Sequence, residues 1–175
     1  MIQHKIGDLL SGNVDVIAHQ VNCRGVMGSG VARQIREQFP SVYASYQNYC
    51  DTFREHPEKI LGFVLLVLDT RRDDRPVWVA NLFSQNGYGY DGKRYTDYDA
   101  FRECMKQLRE LVEHTEKTEK KKLRIGMPFL IGCDRGGGDW ATVYKIIEEE
   151  LRDIDVTLYS LPRGRRAQMY GRKSE

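Results

Sequence analysis

An apolar run over residues 14–21 leads into Asn22-Cys23-Arg24-Gly25-Val26-Met27-Gly28-Ser29-Gly30-Val31-Ala32, where a glycine-containing turn opens directly into a helical pattern. Glycine lets a backbone approach a ligand closely, and a helix N-terminus presents unpaired N–H groups to an anion. A strand, a glycine turn and a helix in that order therefore form a unit suited to a phosphate-bearing ligand, with Asn22 and Ser29 beside it as polar contacts. A second cluster, Gly132-Cys133-Asp134-Arg135-Gly136-Gly137-Gly138-Asp139-Trp140, repeats the same design. Two such loops on one cleft suit two phosphates gripped from opposite sides, as in a diphosphate.

The rest of the chain alternates strand and helix signals, which predicts an α/β fold. Strands are expected over 2–6, 14–21, 60–68, 77–83, 123–131 and 156–161. The charged turn Arg71-Arg72-Asp73-Asp74-Arg75-Pro76 makes the third and fourth an antiparallel pair. A helix is expected over 30–39, with Val31, Ile35 and Phe39 on one face and Pro40 as its stop. Ser41 is expected to cap a further helix burying Val42, Tyr46, Tyr49 and Phe53. A long loop over 84–95, rich in glycine and tyrosine, precedes Thr96, read as the N-cap of a helix over 97–113 with Asp99 at the capping-box position. Residues 114–122 read as a solvated charged connector, and 140–151 as the last helix. The basic segment 163–175 lacks an apolar face and reads as a tail.

A chain of 175 residues is one domain by length. Its net charge of +2 hides nearly balanced acids and bases, so no global basic field points to nucleic acid. Cysteines at 23, 50, 104 and 133 form no CxxC pair, which is neither zinc spacing nor a disulfide framework, and a reduced cytoplasmic compartment is expected. No apolar run reaches membrane-spanning length, and the first residues do not begin a signal peptide. No cluster of side chains has metal-ligand spacing, so no metal or other cofactor is implied.

Taken together, Gly7-Asp8 after an early strand, Asn22 before Gly28-Ser29-Gly30, and the loop from Gly132 to Gly138 resemble the macrodomain family, which binds ADP-ribose. The resemblance covers nearly the whole chain. It implies a three-layer α/β/α macrodomain with a mixed central sheet over 1–162, followed by the tail. His19-Gln20-Val21-Asn22-Cys23 and Ile131-Gly132-Cys133 are similar to the branch that holds the yeast-type ADP-ribose-1″-phosphate phosphatase and the terminal ADP-ribose protein glycohydrolase. The lysine nucleophile of that glycohydrolase has no counterpart in Ser84-Gln85-Asn86; Lys93 comes later.

By this resemblance Asp8 contacts the adenine amino group, with Leu9 beside it and Leu161 lining the adenine slot. Asn22 reaches a ribose hydroxyl. Gly28, Ser29, Gly30 and Val31 form one phosphate wall; Gly132, Gly136, Gly137 and Gly138 form the other. Tyr88, Tyr90 and Tyr95 either wall the distal ribose or only pack their own loop. Catalytic candidates are His19, Asp134 and Asp139. A strand-end histidine is either a packed structural residue or, with a reference pKa of about 6.5, a general acid–base. Asp139 is favoured by position as the cap of the following helix. The expected function is an ADP-ribose-binding hydrolase acting at the distal ribose of ADP-ribose-1″-phosphate or of ADP-ribosylated protein or nucleic acid. The alternatives are a non-catalytic reader of ADP-ribosyl groups and an antitoxin-like enzyme that removes ADP-ribose from nucleic acid, its tail contacting phosphates.

Overall fold

The computed structural model describes residues 1–162; the basic segment 163–175 lies outside the described residues. The order along the chain is β1 (Ile2–Ile6), β2 (Val16–Asn22), α1 (Gly30–Gln38), α2 (Pro40–Thr52), β3 (Val64–Thr70), β4 (Pro76–Gln85), α3 (Tyr98–Glu119), β5 (Arg124–Pro128), α4 (Trp140–Glu150) and β6 (Asp155–Ser160), with short 3-10 turns at Leu9–Ser11 and Pro57–Ile60. The strands form one six-stranded sheet in the order β1-β6-β5-β2-β4-β3. All neighbours are parallel except β3 and β4, which run antiparallel as the charged turn between them requires.

Strand alternation divides the core. Along β2, Val16 and Ala18 face one side and join Phe101, Leu108, Ile125, Val143 and Ile147 beneath α3 and α4. Ile17 and Val21 face the other side and join Ile35, Val42, Tyr46, Val79 and Phe83 beneath α1 and α2. Helices thus cover both faces of a mixed sheet, giving three layers. Fully burying a large aliphatic or aromatic side chain contributes about 1.5–3 kcal/mol, so two such clusters make each layer depend on the sheet between them.

Several local expectations are corrected. Pro40 starts α2 rather than only ending α1, because its ring is tolerated at the first helical position. Ser41 does not cap α2; its hydroxyl donates to the Asp69 carboxylate. The cap of α3 is Asp97, whose carboxylate accepts from Ala100 N at 2.9 Å, while Thr96 is turned inward and buried. Helix α3 runs on through the supposed connector to Glu119, since Val112 still reaches the core and Lys120, in the left-handed region at φ 53°, ends it. The run expected as a strand from residue 60 begins with the end of a 3-10 turn. Arg71, in the charged turn, is buried. It is 6% exposed and donates to the carbonyls of Leu10 (3.1 Å) and Val14 (2.8 Å), tying the β3–β4 turn to the chain ahead of β2.

Candidate functional site

The central strand β2 separates the two helix pairs. The connection after β2 passes to one face of the sheet and the one after β5 to the other, and β2 and β5 are adjacent. A crevice opens beyond the carboxyl ends of parallel strands at such a reversal, and ligands of α/β sheets bind there. One cleft lies at this point. It is lined on one side by His19, Asn22, Gly28, Ser29, Gly30 and Val31, and on the other by Gly132, Asp134 and Gly136, with Leu161 at its far end. Ten of the residues singled out in the sequence therefore meet in one place.

The first glycine loop is built for an anion. Gly30 begins α1 with φ +58°, a conformation that side-chain-bearing residues rarely adopt. Ser29 precedes it with no side-chain capping bond, so the first N–H groups of α1 face the cleft without a capping oxygen. Asn22 is held more firmly than expected. Its Oδ1 accepts from Arg24 N at 3.0 Å and lies 2.9 Å from the Tyr46 hydroxyl, while Nδ2 donates to Val26 O at 2.7 Å. The amide that the sequence suggests as a sugar contact also closes its own loop.

The second loop differs in kind. Gly136 and Gly138 are glycines because neighbouring chain fills the space of a side chain: a Cβ on Gly136 would lie 2.6 Å from Gly132 O, and one on Gly138 would lie 2.8 Å from it. Gly137 is packed in the same way, 2.8 Å from Lys93 O, against the 84–95 loop. Gly137, with φ +67°, and Gly138 do not themselves line the cleft. Leu130, also in this segment, holds φ +63°, the left-handed region that a leucine enters only when its surroundings enforce it.

His19 is 1% exposed and lies on the cleft floor. Its Nε2 is 2.8 Å from Asn81 Oδ1, across the β2–β4 pairing. Asn81 Nδ2 donates to Leu65 O at 3.0 Å, so Oδ1 must face the ring and Nε2 must carry the hydrogen. That leaves Nδ1 as a bare lone pair, buried and without a partner among the described residues. Burial, opposed by the Asn81 bond, lowers the imidazole pKa to about 4. The ring is neutral at physiological pH, so it has no imidazolium proton to donate.

Asp134 is exposed on the cleft wall. Asp139 is not in the cleft. Its Oδ2 accepts from Thr142 N at 3.0 Å and Thr142 Oγ1 at 2.8 Å, bonds that cap α4 and hold its carboxyl below the usual range. Asp139 thus takes the helix-cap role favoured by its position in the sequence. The Leu9 side chain is 4% exposed and packs in the core with Val14. Asp8 caps the turn that follows it, Oδ1 accepting from Leu10 N at 3.0 Å, and does not line the cleft as described. Its second carboxylate oxygen is not used in that bond.

Sequence reasoning passed over Gln20, Gln85, Phe129 and Tyr159, all in the lining. Gln20 had a signal in β-alternation, which puts it on the same face as Asn22. Phe129 had none, because its place depends on where β5 ends. Tyr88 and Tyr90 line the mouth, 50% and 70% exposed, whereas Tyr95 bonds Asp91 at 2.8 Å and stays within its loop.

No protein-family model matches the chain. An ADP-ribose 1″-phosphate phosphatase of Debaryomyces hansenii is 30% identical over 176 residues, covering 89% of this chain and 94% of the relative. The chain belongs to the macrodomain family. A DNA ADP-ribosyl glycohydrolase of Mycobacterium tuberculosis is 28% identical over 171 residues, and the match takes in 95% of this chain but 44% of that longer protein. The solved macrodomain of Mycobacterium tuberculosis DarG superposes with a TM-score of 0.73 at 23% identity, covering 91% of this chain and 97% of that one, which shows the fold. This macrodomain has four free cysteines, three of them buried, and among its described residues no helix is long and apolar enough to cross a membrane.

Proposed function

We propose that this macrodomain binds ADP-ribose in the cleft and hydrolyses a substituent on the distal ribose. The diphosphate lies between the α1 N-terminus and the Gly132–Gly136 segment. Adenine lies toward Phe129 and Leu161. The distal ribose lies by Asn22 and His19. The observation that carries hydrolysis is the exposed Asp134 carboxylate on the cleft wall, across from the N-terminus of α1, with the neutral His19 ring in the lining between them.

ADP-ribose 1″-phosphate is the substrate favoured by the relative that matches nearly end to end. In the reaction a water loses a proton to the Asp134 carboxylate or to His19 Nδ1 and attacks phosphorus. The bond from phosphorus to the C1″ oxygen breaks, that oxygen takes a proton, and ADP-ribose and inorganic phosphate leave. No lysine lines the cleft among the described residues, which supports direct attack by water over an amine adduct. The loops contribute by holding the diphosphate in place, which fixes the distal ribose and its 1″-phosphate for attack.

A second reading, removal of ADP-ribose from nucleic acid, is favoured by one feature. Tyr90 stands exposed at the mouth with the Arg135 guanidinium 4.4 Å over its ring, an arrangement suited to a stacked base. ADP-ribosylated protein is the further macromolecular candidate, and a cytoplasmic location suits the free thiols. Incubation with ADP-ribose 1″-phosphate, ADP-ribosylated DNA and ADP-ribosylated protein side by side tests these readings. Release of phosphate from the first is expected; binding of ADP-ribose with no turnover of any substrate makes the protein a reader.

A further inference from the structure

Behind the second glycine loop lies a closed chain of hydrogen bonds. Thr96, 1% exposed, donates its hydroxyl to Gly132 O at 2.6 Å. With that hydrogen committed, Thr96 Oγ1 accepts from Gln20 Nε2 at 2.8 Å. The other Gln20 Nε2 hydrogen goes to Gln85 Oε1 at 2.7 Å, and Gln20 Oε1 accepts from Ser84 Oγ at 2.7 Å. Gln85 Nε2 donates onward to Gly87 O at 2.8 Å. Each amide orientation is set by its neighbour: the Gly87 bond turns Gln85 Oε1 toward Gln20, and the Gly132 bond turns the Thr96 lone pairs the same way. The main chain reinforces the contact, since Tyr95 N and Thr96 N both donate to Gly136 O, at 2.8 and 2.9 Å. A Cβ on Gly136 would lie 2.7 Å from Gln20 Nε2, which leaves the loop little room to shift.

We propose that Thr96 is a positioning residue that locks the second glycine loop to the Tyr88–Tyr90 loop through Gln20, so that the diphosphate wall and the distal-ribose wall hold one spacing. This rests on the function proposed above. Thr96 touches no substrate; it acts through Gly132, Gly136 and Gln20. A reacting group held by one wall and a diphosphate held by the other stay aligned only while that spacing holds, and misplacement by about 1 Å costs up to about a hundredfold in rate.

The test compares Thr96→Val, which keeps the branched shape and removes the hydroxyl, with Thr96→Ser, which keeps the hydroxyl. In Thr96→Val, amide hydrogen exchange over 86–90 and 132–138 is expected to accelerate about tenfold, with 23–29 unchanged. The kcat on ADP-ribose 1″-phosphate per folded molecule falls about tenfold, more than KM rises. Thr96→Ser restores both. Gln85→Met cuts the arm from Gln20 through Gln85 to Gly87 and leaves the Thr96 bonds to Gly132 and Gln20 in place; it is expected to accelerate exchange over 86–90 alone, which keeps the test open if Thr96→Val does not fold. A lowered melting temperature with unchanged exchange in both loops and unchanged kcat per folded molecule would overturn the proposal, as would failure of Thr96→Ser to restore. Calorimetry of wild type with ADP-ribose runs alongside: absence of binding ends the functional reading, while the exchange pattern still decides the coupling.

Discussion

The Tyr46 hydroxyl lies 2.7 Å from the main-chain oxygen of Asn22 and 2.9 Å from its side-chain oxygen, so a residue of α2 bolts down the first glycine loop from beneath. Tyr46 is fully buried, packed on Phe83 with ring centroids 5.8 Å apart, and burial pushes its phenol pKa far up, so it remains a donor. Tyr46→Phe keeps the packing and strands an acceptor. The expected loss is about 1–2 kcal/mol of stability together with weaker ADP-ribose binding, measured by denaturant unfolding and calorimetry. Unchanged affinity would show that the loop keeps its shape without the bolt.

His19 makes stability depend on pH. An unfolded histidine takes its proton near pH 6.5, and the folded ring does so only near pH 4. Between these values the unfolded state binds more protons, so the contribution is complete above about pH 6.5 and is lost as pH falls toward 4, by about 3 kcal/mol in all. Unfolding curves of wild type and His19→Asn across that range check this; parallel losses in the two proteins would contradict it.

The two loop aspartates separate cleanly. Asp139→Ala removes a helix cap and is expected to cost about 1 kcal/mol of stability with kcat retained. Asp134→Ala leaves the fold alone and is expected to lower kcat about 10²–10⁴-fold if it holds the water's proton. Steady-state rates on both variants, normalised to folded protein, decide between Asp134 and His19 as the base.

Much of this arrangement was legible in the sequence. Periodicity and glycine punctuation place the strands, the antiparallel pair and both loops, because those signals are local. What was not legible depends on partners distant in the chain. Arg71 stands in a run of charges that reads as solvated, yet its guanidinium is buried against carbonyls of residues 10–14. Thr96 and Asp97 are adjacent and both suit a cap; only the approach of Gly132 turns Thr96 inward. The approach of the 84–95 loop to Gly137 likewise has no local signal in the sequence.

Arg71 supplies its own prediction. Arg71→Met keeps most of the apolar stem and leaves the Leu10 and Val14 carbonyls without their donor. A loss of about 2–3 kcal/mol is expected, read as a lower unfolding midpoint. A loss within about 0.5 kcal/mol, the usual range for surface substitutions, would mean that the turn is solvated after all.

The central claim is that the cleft holds ADP-ribose and that water, activated on its floor, cleaves a group from the distal ribose. The most direct measurement is phosphate release from ADP-ribose 1″-phosphate by wild type and His19→Ala, with ADP-ribose affinity measured on both. The account predicts stoichiometric release of phosphate by wild type and a rate lowered about 10²–10⁴-fold in His19→Ala, with affinity changed far less. Equal rates in the two proteins would move the proton transfer to Asp134; binding of ADP-ribose by wild type with no release of phosphate would contradict the account.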